Sequence, residues 1–536
     1  LRYIAFLGNF KEKMETAIMK PLEINRRTFL KNSSLTIAGL ITASLTSPAK
    51  ASKNKNKPHI IYIMSDQHRG DCMGCAGNKI IKTPNMDALA NDGVCFTSAY
   101  TASPSCTPAR AGLLTGLSPW HHGMLGYGRV ALNYKYELPQ MVRNAGYYTF
   151  AIGKMHWFPQ KTLHGFHGTL VDESSRVETE DFVSDYRQWF KKVAPDKSYD
   201  PPNKMGWNSN KAALYENEEK LHPTSWTGQT AIDLINNYDK AEPLLLKVSF
   251  ARPHSPYDPP KRFHDMYKTE DMPAPFIGDW CSKFAEMKGV PNNWGPAFGD
   301  FSVEFAKKAR HGYYANVTFI DEQIGRIIAA LKQKGMYDNA LILYTADHGD
   351  MLGDHYHWRK TYAYEGSAKI PMLMKWPKTM KTEIKQGSNL PQPVELRDFL
   401  PTFLDITGQK IPTDMDGKSL LKLVKNKNAK WRQYIDSEHS TCYDWKNYWC
   451  AITDGQTKYI YFFPTGEHQL FDLEKDPGEI TNLADKLQHT ETLHLWKSRM
   501  VKHLSERGPE WVKDSQLQIR KKGQLHSPNF PKNNKA

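Results

Sequence analysis

Five short stretches of this 536-residue chain carry residue types that could do chemistry together. Cys106-Thr107-Pro108-Ala109-Arg110 is polar at its start and helix-like after it, because Pro108 presets φ and lacks an N–H that a first helical turn leaves unpaired anyway. Cys106 is therefore expected at a helix N-terminus, where free N–H groups and the dipole favour an anion. Arg110, one turn on, adds a planar cation suited to a tetrahedral oxyanion. A buried cysteine in a loop is the plainer reading of the same residue. Asp66-Gln67 and Asp347-His348 offer hard oxygen donors and one imidazole to a divalent cation. Lys154 and His156 are two apart, so on an extended strand end they point the same way, as a cation and an acid/base aimed at one substrate group must. His254 sits in Arg252-Pro253-His254-Ser255-Pro256. Taken singly, each histidine is more often structural than chemical.

Four of these stretches follow apolar runs that read as buried parallel strands. Ile60–Met64 delivers Asp66 and Gln67, Tyr148–Ile152 delivers Lys154 and His156, Leu244–Phe250 leads to His254, and Ala340–Tyr344 leads to Asp347 and His348. Helical patterns lie between them, at 85–91, 137–145, 227–238 and 314–334. Such alternation predicts an α/β layered fold with a large, mostly parallel sheet flanked by helices, whose ligands gather beyond the carboxyl ends of the strands. Residues 371–377 read as a further strand and 394–408 as a helix. From about residue 430 the texture changes to short runs at 449–453, 458–462 and 469–473, separated by turns and followed by a helix over 488–505, which predicts a smaller C-terminal antiparallel sheet plus helix. The expected division is 1–57 export signal and linker, 58–425 catalytic domain, 426–511 C-terminal α+β subdomain, and 512–536 a loose basic tail.

The formal net charge of +14 lives in the ends. Residues 1–57 carry +8 and residues 512–536 carry +5, leaving +1 for the body, which argues against a nucleic-acid partner. Asn25-Arg26-Arg27-Thr28-Phe29-Leu30-Lys31, the apolar run 35–45 and Ala49-Lys50-Ala51 resemble a twin-arginine export signal, with Met19 placing the arginine pair at the usual early position. The apolar run is shorter than the roughly 20 residues of a membrane span, so no integral span is expected in the mature chain, and the location expected is periplasmic or secreted. Seven cysteines, at 72, 75, 95, 106, 281, 442 and 450, do not make a disulfide framework. Cys72 and Cys75 form a C-x-x-C pair without a second pair, Cys442 and Cys450 could bond, and the odd count leaves one cysteine with another fate.

Together these motifs resemble the type I sulfatase family of the alkaline phosphatase superfamily. The resemblance rests on Cys106-x-Pro108-x-Arg110 with Thr115-Gly116, Asp66-Gln67, Gly153-Lys154-Met155-His156, Pro253-His254-Ser255-Pro256, Asp347-His348-Gly349-Asp350-Met351-Leu352-Gly353-Asp354-His355, Lys360, and Leu470-Phe471-Asp472-Leu473 with Asp476-Pro477-Gly478-Glu479. In order and spacing it spans residues 58–505. It implies an alkaline phosphatase-like fold and a Cys106 oxidised to formylglycine by a formylglycine-generating enzyme, the hydrated aldehyde attacking sulfur. It also implies a cation held by Asp66, Gln67, residue 106, Asp347 and His348, and sulfate oxygens bound by Lys154 and Lys360. Arg110 would orient the modified residue, His156 would collapse the diol, and His254 would protonate the leaving alcohol. Calcium is the ion the family implies; Gln67 and His348 stand where many members have Asp and Asn, and manganese or zinc, the alternatives, would tolerate the imidazole better. Ala109 replaces a common serine.

The implied function is hydrolysis of sulfate esters, on a sulfated carbohydrate. Two other readings are a phosphonate monoester or phosphodiester hydrolase of the same superfamily and an inactive glycan-binding relative. The second of these would be expected to lack Cys106, Arg110 or a metal ligand. Segments 157–223 and 257–296, rich in Trp, Tyr and charge, are the expected pocket walls.

Overall fold

Strand β1 (His59–Asp66) runs through the centre of an eight-stranded sheet, and its apolar residues Ile60–Met64 are fully buried, as a strand covered on both faces requires. The computed structural model describes residues 57–532 except 175, 177–180, 202–204 and 287–296, so the export motif lies outside the described residues. The other strands are β2 (Val94–Phe96), β3 (Tyr148–Gly153), β4 (Gly168–Val171), β5 (Leu244–Pro253), β6 (Ala340–Ala346), β7 (Met372–Lys375) and β8 (Ser388–Leu390). Their order is β4-β3-β5-β1-β6-β7-β2-β8. The run β4-β3-β5-β1-β6 is parallel throughout, and β7 pairs antiparallel with both β6 and β2.

This order settles what four separate apolar runs could not: β3, β5, β1 and β6 are immediate neighbours, so the polar residues after each reach one carboxyl-terminal edge. Helices cover both faces. The helix Cys106–Thr115 is buried along all ten residues and ends at Gly116, whose φ of 70° and N–H to Gly112 O close the last turn. On the other face the helix Val303–Gln333 starts eleven residues before the periodic pattern at 314–334, with Ser302 accepting from Phe305 N as its cap. Residues 394–408 are not one helix: Val394–Glu395 bridges Ala99–Tyr100, a 3₁₀ turn closed by a Glu395/Asp398 capping box follows, and the helix proper is Phe399–Ile406.

Strands β9 (Ile435–His439), β10 (Trp449–Thr453), β11 (Thr457–Phe462) and β12 (His468–Asp472) form the antiparallel sheet in sequence order, backed by the helix Thr490–Leu504. Trp449, Ile460 and Phe471 of this sheet share a core cluster with Phe298, Met351 and Tyr362. Residues 512–532 are not loose, against their polar composition. Residues 512–513 pair with 516–517, Leu125 N donates to Leu525 O at 2.9 Å, and Ser527 Oγ donates to Trp120 O at 2.6 Å. Specific hydrogen bonds and the Leu525 and Phe530 side chains anchor them, features that carry no periodicity. All seven cysteines are free; Cys450 is buried in β10 while Cys442 faces a pocket, so these two do not bond. Among the described residues no helix is long and apolar enough to cross a membrane.

Candidate active site

The site is built on the four adjacent strand ends and closed by the start of the helix Cys106–Thr115. Gly153 ends β3 with φ of 91°, and a Cβ there would lie 2.0 Å from Ser249 O, so only glycine lets the chain turn close enough for Lys154 N to donate to that oxygen at 2.8 Å. The turn aims Lys154 inward, and its Nζ lies 2.7 Å from Asp66 Oδ2. Two residues on, His156 adopts φ of 63°, and its N–H and that of Met155 donate to Glu173 Oε1 at 2.8 and 2.9 Å. Lys154 and His156 face one pocket, but not through the alternation of an extended strand: the strand ends at Gly153, and the positive φ of Gly153 and His156 directs them there.

Arg110 braces the floor. Its guanidinium donates to Asp347 Oδ2 at 2.9 Å, Asp66 Oδ2 at 3.1 Å, Lys154 O at 2.7 Å and Ser249 Oγ at 3.2 Å. With both Oδ2 atoms tied down, the Oδ1 atoms turn to the other side. There His348 Nε2 lies 3.9 Å from Asp66 Oδ1, 3.7 Å from Asp347 Oδ1 and 3.2 Å from Cys106 Sγ, and Cys106 Sγ lies 3.7 Å from Asp66 Oδ1. The tautomer follows from the partner, since His348 Nδ1 donates to Gly349 O at 2.9 Å and leaves Nε2 as a lone pair facing this cluster. Asp66, Cys106, Asp347 and His348 each place one donor atom within 4.8 Å of the others, all fully buried. Two carboxylate oxygens, an imidazole nitrogen and a sulfur position fit a divalent cation. Gln67 stands beside them, with Oε1 accepting from Lys360 Nζ at 2.8 Å.

Lys360 Nζ joins the two halves, since it also donates to His254 Nε2 at 2.7 Å and lies 3.6 Å from Cys106 Sγ. His254 Nδ1 donates to Ser255 O at 2.8 Å, so its Nε2 is the nitrogen turned to the site. Burial drives the Asp66 carboxyl upward, but Lys154, Arg110 and Lys360 outweigh it and hold the group well below the usual carboxylate range. Burial and Asp66 push the Cys106 thiol up; Lys360, Lys154 and His348 overcome them and leave it below the ordinary thiol value. His254 is held well below the ordinary imidazole value by burial and by the two lysines.

A pocket of about 270 Å³ opens over Cys106. The sulfatase family model matches residues 58–409, and the model described as N-sulphoglucosamine sulphohydrolase, C-terminal, matches 353–506. An arylsulfatase of Clostridium perfringens is 39% identical over 476 residues, covering 86% of this chain and 97% of its own.

The chain belongs to the sulfatase family.

An N-acetylglucosamine-6-O-sulfatase of Bacteroides thetaiotaomicron is 27% identical, covering 90% of this chain and 91% of its own. The phosphonate monoester hydrolase of Agrobacterium radiobacter shares the fold, with a TM-score of 0.72 at 24% identity over 84% of this chain and 96% of its own. This sulfatase is a sulfuric ester hydrolase of alkaline phosphatase-like fold with a smaller antiparallel sheet. All ten residues singled out in the sequence gather here: Asp66, Gln67, Cys106, Arg110, Lys154, His156, His254, Asp347, His348 and Lys360. Other contributors carry no sequence signal. Tyr127 sits between two glycines with its hydroxyl 3.4 Å from His156 Nε2, and Tyr443 comes from the loop after β9. His439 at the end of β9 faces Ser105 Oγ at 3.0 Å, so the N-cap hydroxyl serves the neighbouring sheet and makes no cap bond to its own helix. Of the two expected walls, 157–223 supplies Glu173 and Trp207, whereas none of the described residues of 257–296 lines the pocket.

Proposed function

We propose that this sulfatase hydrolyses sulfate esters of a carbohydrate in the periplasm or outside the cell, with formylglycine formed from Cys106 as its nucleophile. The observation that carries the reading is the placement of residue 106, at the first turn of a buried helix, within 3.7 Å of His348 Nε2, Lys360 Nζ and Asp66 Oδ1. Asp66, Gln67, Asp347, His348 and residue 106 would hold a divalent cation, calcium by family resemblance or manganese or zinc given the imidazole; when bound it neutralises sulfate oxygens. Lys154 and Lys360 bind the remaining sulfate oxygens in a buried setting where such charges act strongly.

One hydroxyl of the hydrated residue 106 gives its proton to Asp66 Oδ1, which faces the side-chain end of residue 106 at 3.7 Å, and forms an O–S bond as the S–O bond to the leaving alcohol breaks. The departing alkoxide takes the proton that Lys360 Nζ shares with His254 Nε2 across 2.7 Å, since Nε2 carries none of its own while Nδ1 donates to Ser255 O. His156 Nε2 then removes the proton of the second hydroxyl, the bond between the residue's carbon and the sulfate oxygen breaks, and sulfate leaves as the aldehyde returns. Water re-forms the hydrate.

A pocket walled by Tyr127, Trp207 and Tyr443 with Glu173 and Asn208 mixes aromatic faces and hydrogen-bonding groups, the combination that suits a sugar ring. The Bacteroides relative, an N-acetylglucosamine-6-O-sulfatase, supports the same class. Export, the twin-arginine signal and the maturation enzyme as a partner rest on the sequence. Turnover of an aryl sulfate against an aryl phosphodiester, followed by desulfation of a panel of sulfated oligosaccharides, tests the reading. Preference for the sulfate and release from a sugar are expected; preference for the phosphodiester replaces it with the phosphonate monoester hydrolase alternative.

A further inference from the structure

Gln67 is an amide where a carboxylate is common in the family, and an amide has one end that can ligate and one that cannot. Rotation by 180° about its last bond would present Nε2 to the cation site, removing an oxygen donor and adding a positive dipole. The neighbours decide between these states. Gln67 Nε2 contacts Asp350 Oδ2 and Gln67 Oε1 contacts Lys360 Nζ; a carboxylate only accepts and an ammonium only donates, so one orientation alone satisfies both.

Asp350 is itself immobilised. Tyr257 OH donates to Oδ2 at 2.7 Å, and the backbone N–H groups of Leu352 and Arg359 donate to Oδ1 at 3.0 Å each. Asp350 and Tyr257 are completely buried, and Tyr257 packs edge-on against Tyr313. Tyr313 in turn donates to Gln67 O at 2.6 Å, so the backbone and the side-chain end of Gln67 are both fixed from one block of structure. Asp350 spends its acceptor sites on these four donors, and it stands outside the cluster formed by Asp66, Cys106, Asp347 and His348.

We propose that Asp350 is the positioning residue of the cation site: it locks the Gln67 amide with its oxygen toward the ion, and Tyr257 holds Asp350 in that role. The inference rests on the reading of Gln67 as a ligand. It explains how one chain keeps an amide ligand in a buried, strongly charged pocket without a mixture of two amide orientations.

The test is calorimetric titration of Mn²⁺ and of Ca²⁺ into the full chain after chelator treatment, with thermal melts of every variant. Gln67→Ala establishes the ligand reading; affinity equal to wild type would remove that reading and the proposal with it. Asp350→Asn is isosteric, but its Nδ2 must face either Gln67 Nε2 and Tyr257 OH or the backbone N–H groups of Leu352 and Arg359, so the four-donor arrangement that locks the amide is broken. Affinity should fall about 10- to 100-fold, the scale of lost outer-shell support at metal sites. The double variant Gln67→Glu/Asp350→Asn reverses the bond's polarity at the same total charge, with Asn Nδ2 donating to the glutamate and an oxygen still facing the ion. Its affinity should return to within about threefold of wild type, well inside that 10- to 100-fold window. A folded Asp350→Asn that binds both ions like wild type overturns the proposal while leaving the ligand reading intact. Should Asp350→Asn not fold, the double variant is decisive: recovery supports the lock, and a loss of tenfold or more refutes it.

Discussion

Arg110→Ala removes a buried guanidinium that makes four hydrogen bonds, two of them to carboxylates. Breaking a buried ion pair by deleting one partner costs about 3–5 kcal/mol, because the surviving charge stays buried without compensation. Two carboxylates are exposed to that loss here, but each keeps other support. Lys154 Nζ still lies 2.7 Å from Asp66 Oδ2, and Asp347 Oδ1 keeps the N–H groups of Gln67 and His348 at 3.0 and 3.1 Å. The expected destabilisation therefore stays within about 3–5 kcal/mol and does not double. Arg110→Lys restores the charge but not the planar fork that reaches both carboxylates, Lys154 O and Ser249 Oγ at once, so it should fall between the two. Urea unfolding of chelator-treated enzyme, followed by tryptophan fluorescence and far-ultraviolet dichroism with coincident transitions required, measures both. An Arg110→Ala enzyme within about 1 kcal/mol of wild type would refute the brace.

Three further outcomes follow from the same geometry. Glu173→Ala leaves the Met155 and His156 N–H groups without their acceptor and should lower kcat at least about tenfold, whereas Glu173→Gln retains an acceptor oxygen and should stay near wild type; equal losses in both would show that charge, not placement of His156, is at stake. Ending the chain after Trp511 removes the strap that ties Leu125, Gly123 and Trp120, next to Tyr127, so the melting temperature should fall and KM rise more than kcat falls; an unchanged KM contradicts a role for the strap in shaping the pocket. Glu479 is raised by burial and by the neighbouring Glu365 carboxylate, against the opposing pull of Lys458, so its native form holds a proton that the unfolded chain releases. That contribution to stability is complete below the ordinary glutamate value of 4.5 and is lost as pH rises through the raised value. Glu479→Gln should flatten stability against pH across that window, and an unaltered profile would exclude Glu479 as its source.

Much of this architecture is legible in the sequence because burial on both faces of a parallel sheet forces continuous apolar runs, and β1, β3, β5 and β6 each end where their run gives way to Asp66, Lys154, His254 and Asp347. What the runs do not encode is that these four are neighbours, which depends on strand order. Cys106 and Arg110 are legible through Pro108 and the one-turn spacing, but the four acceptors of Arg110 come from four different strands, β1, β3, β5 and β6, or the residues just after them. Residues that act by closing space rather than by type stay silent: Tyr127, His439 and Tyr443 arrive from loops and from a different sheet, with nothing periodic around them. The tail beyond Trp511 misleads for the same reason, since Leu525 and Ser527 anchor it one contact at a time.

The central claim is that the nucleophile of this sulfatase is formylglycine at position 106, and trypsin offers a direct view of it. Cleavage after Lys82 and Arg110 releases residues 83–110, which contain Cys95 as well as Cys106. In active enzyme, alkylation followed by mass spectrometry should give one labelled cysteine, at Cys95, and at position 106 the mass of an aldehyde in place of a thiol. A peptide alkylated at both positions, from enzyme that turns over an aryl sulfate, would contradict the account.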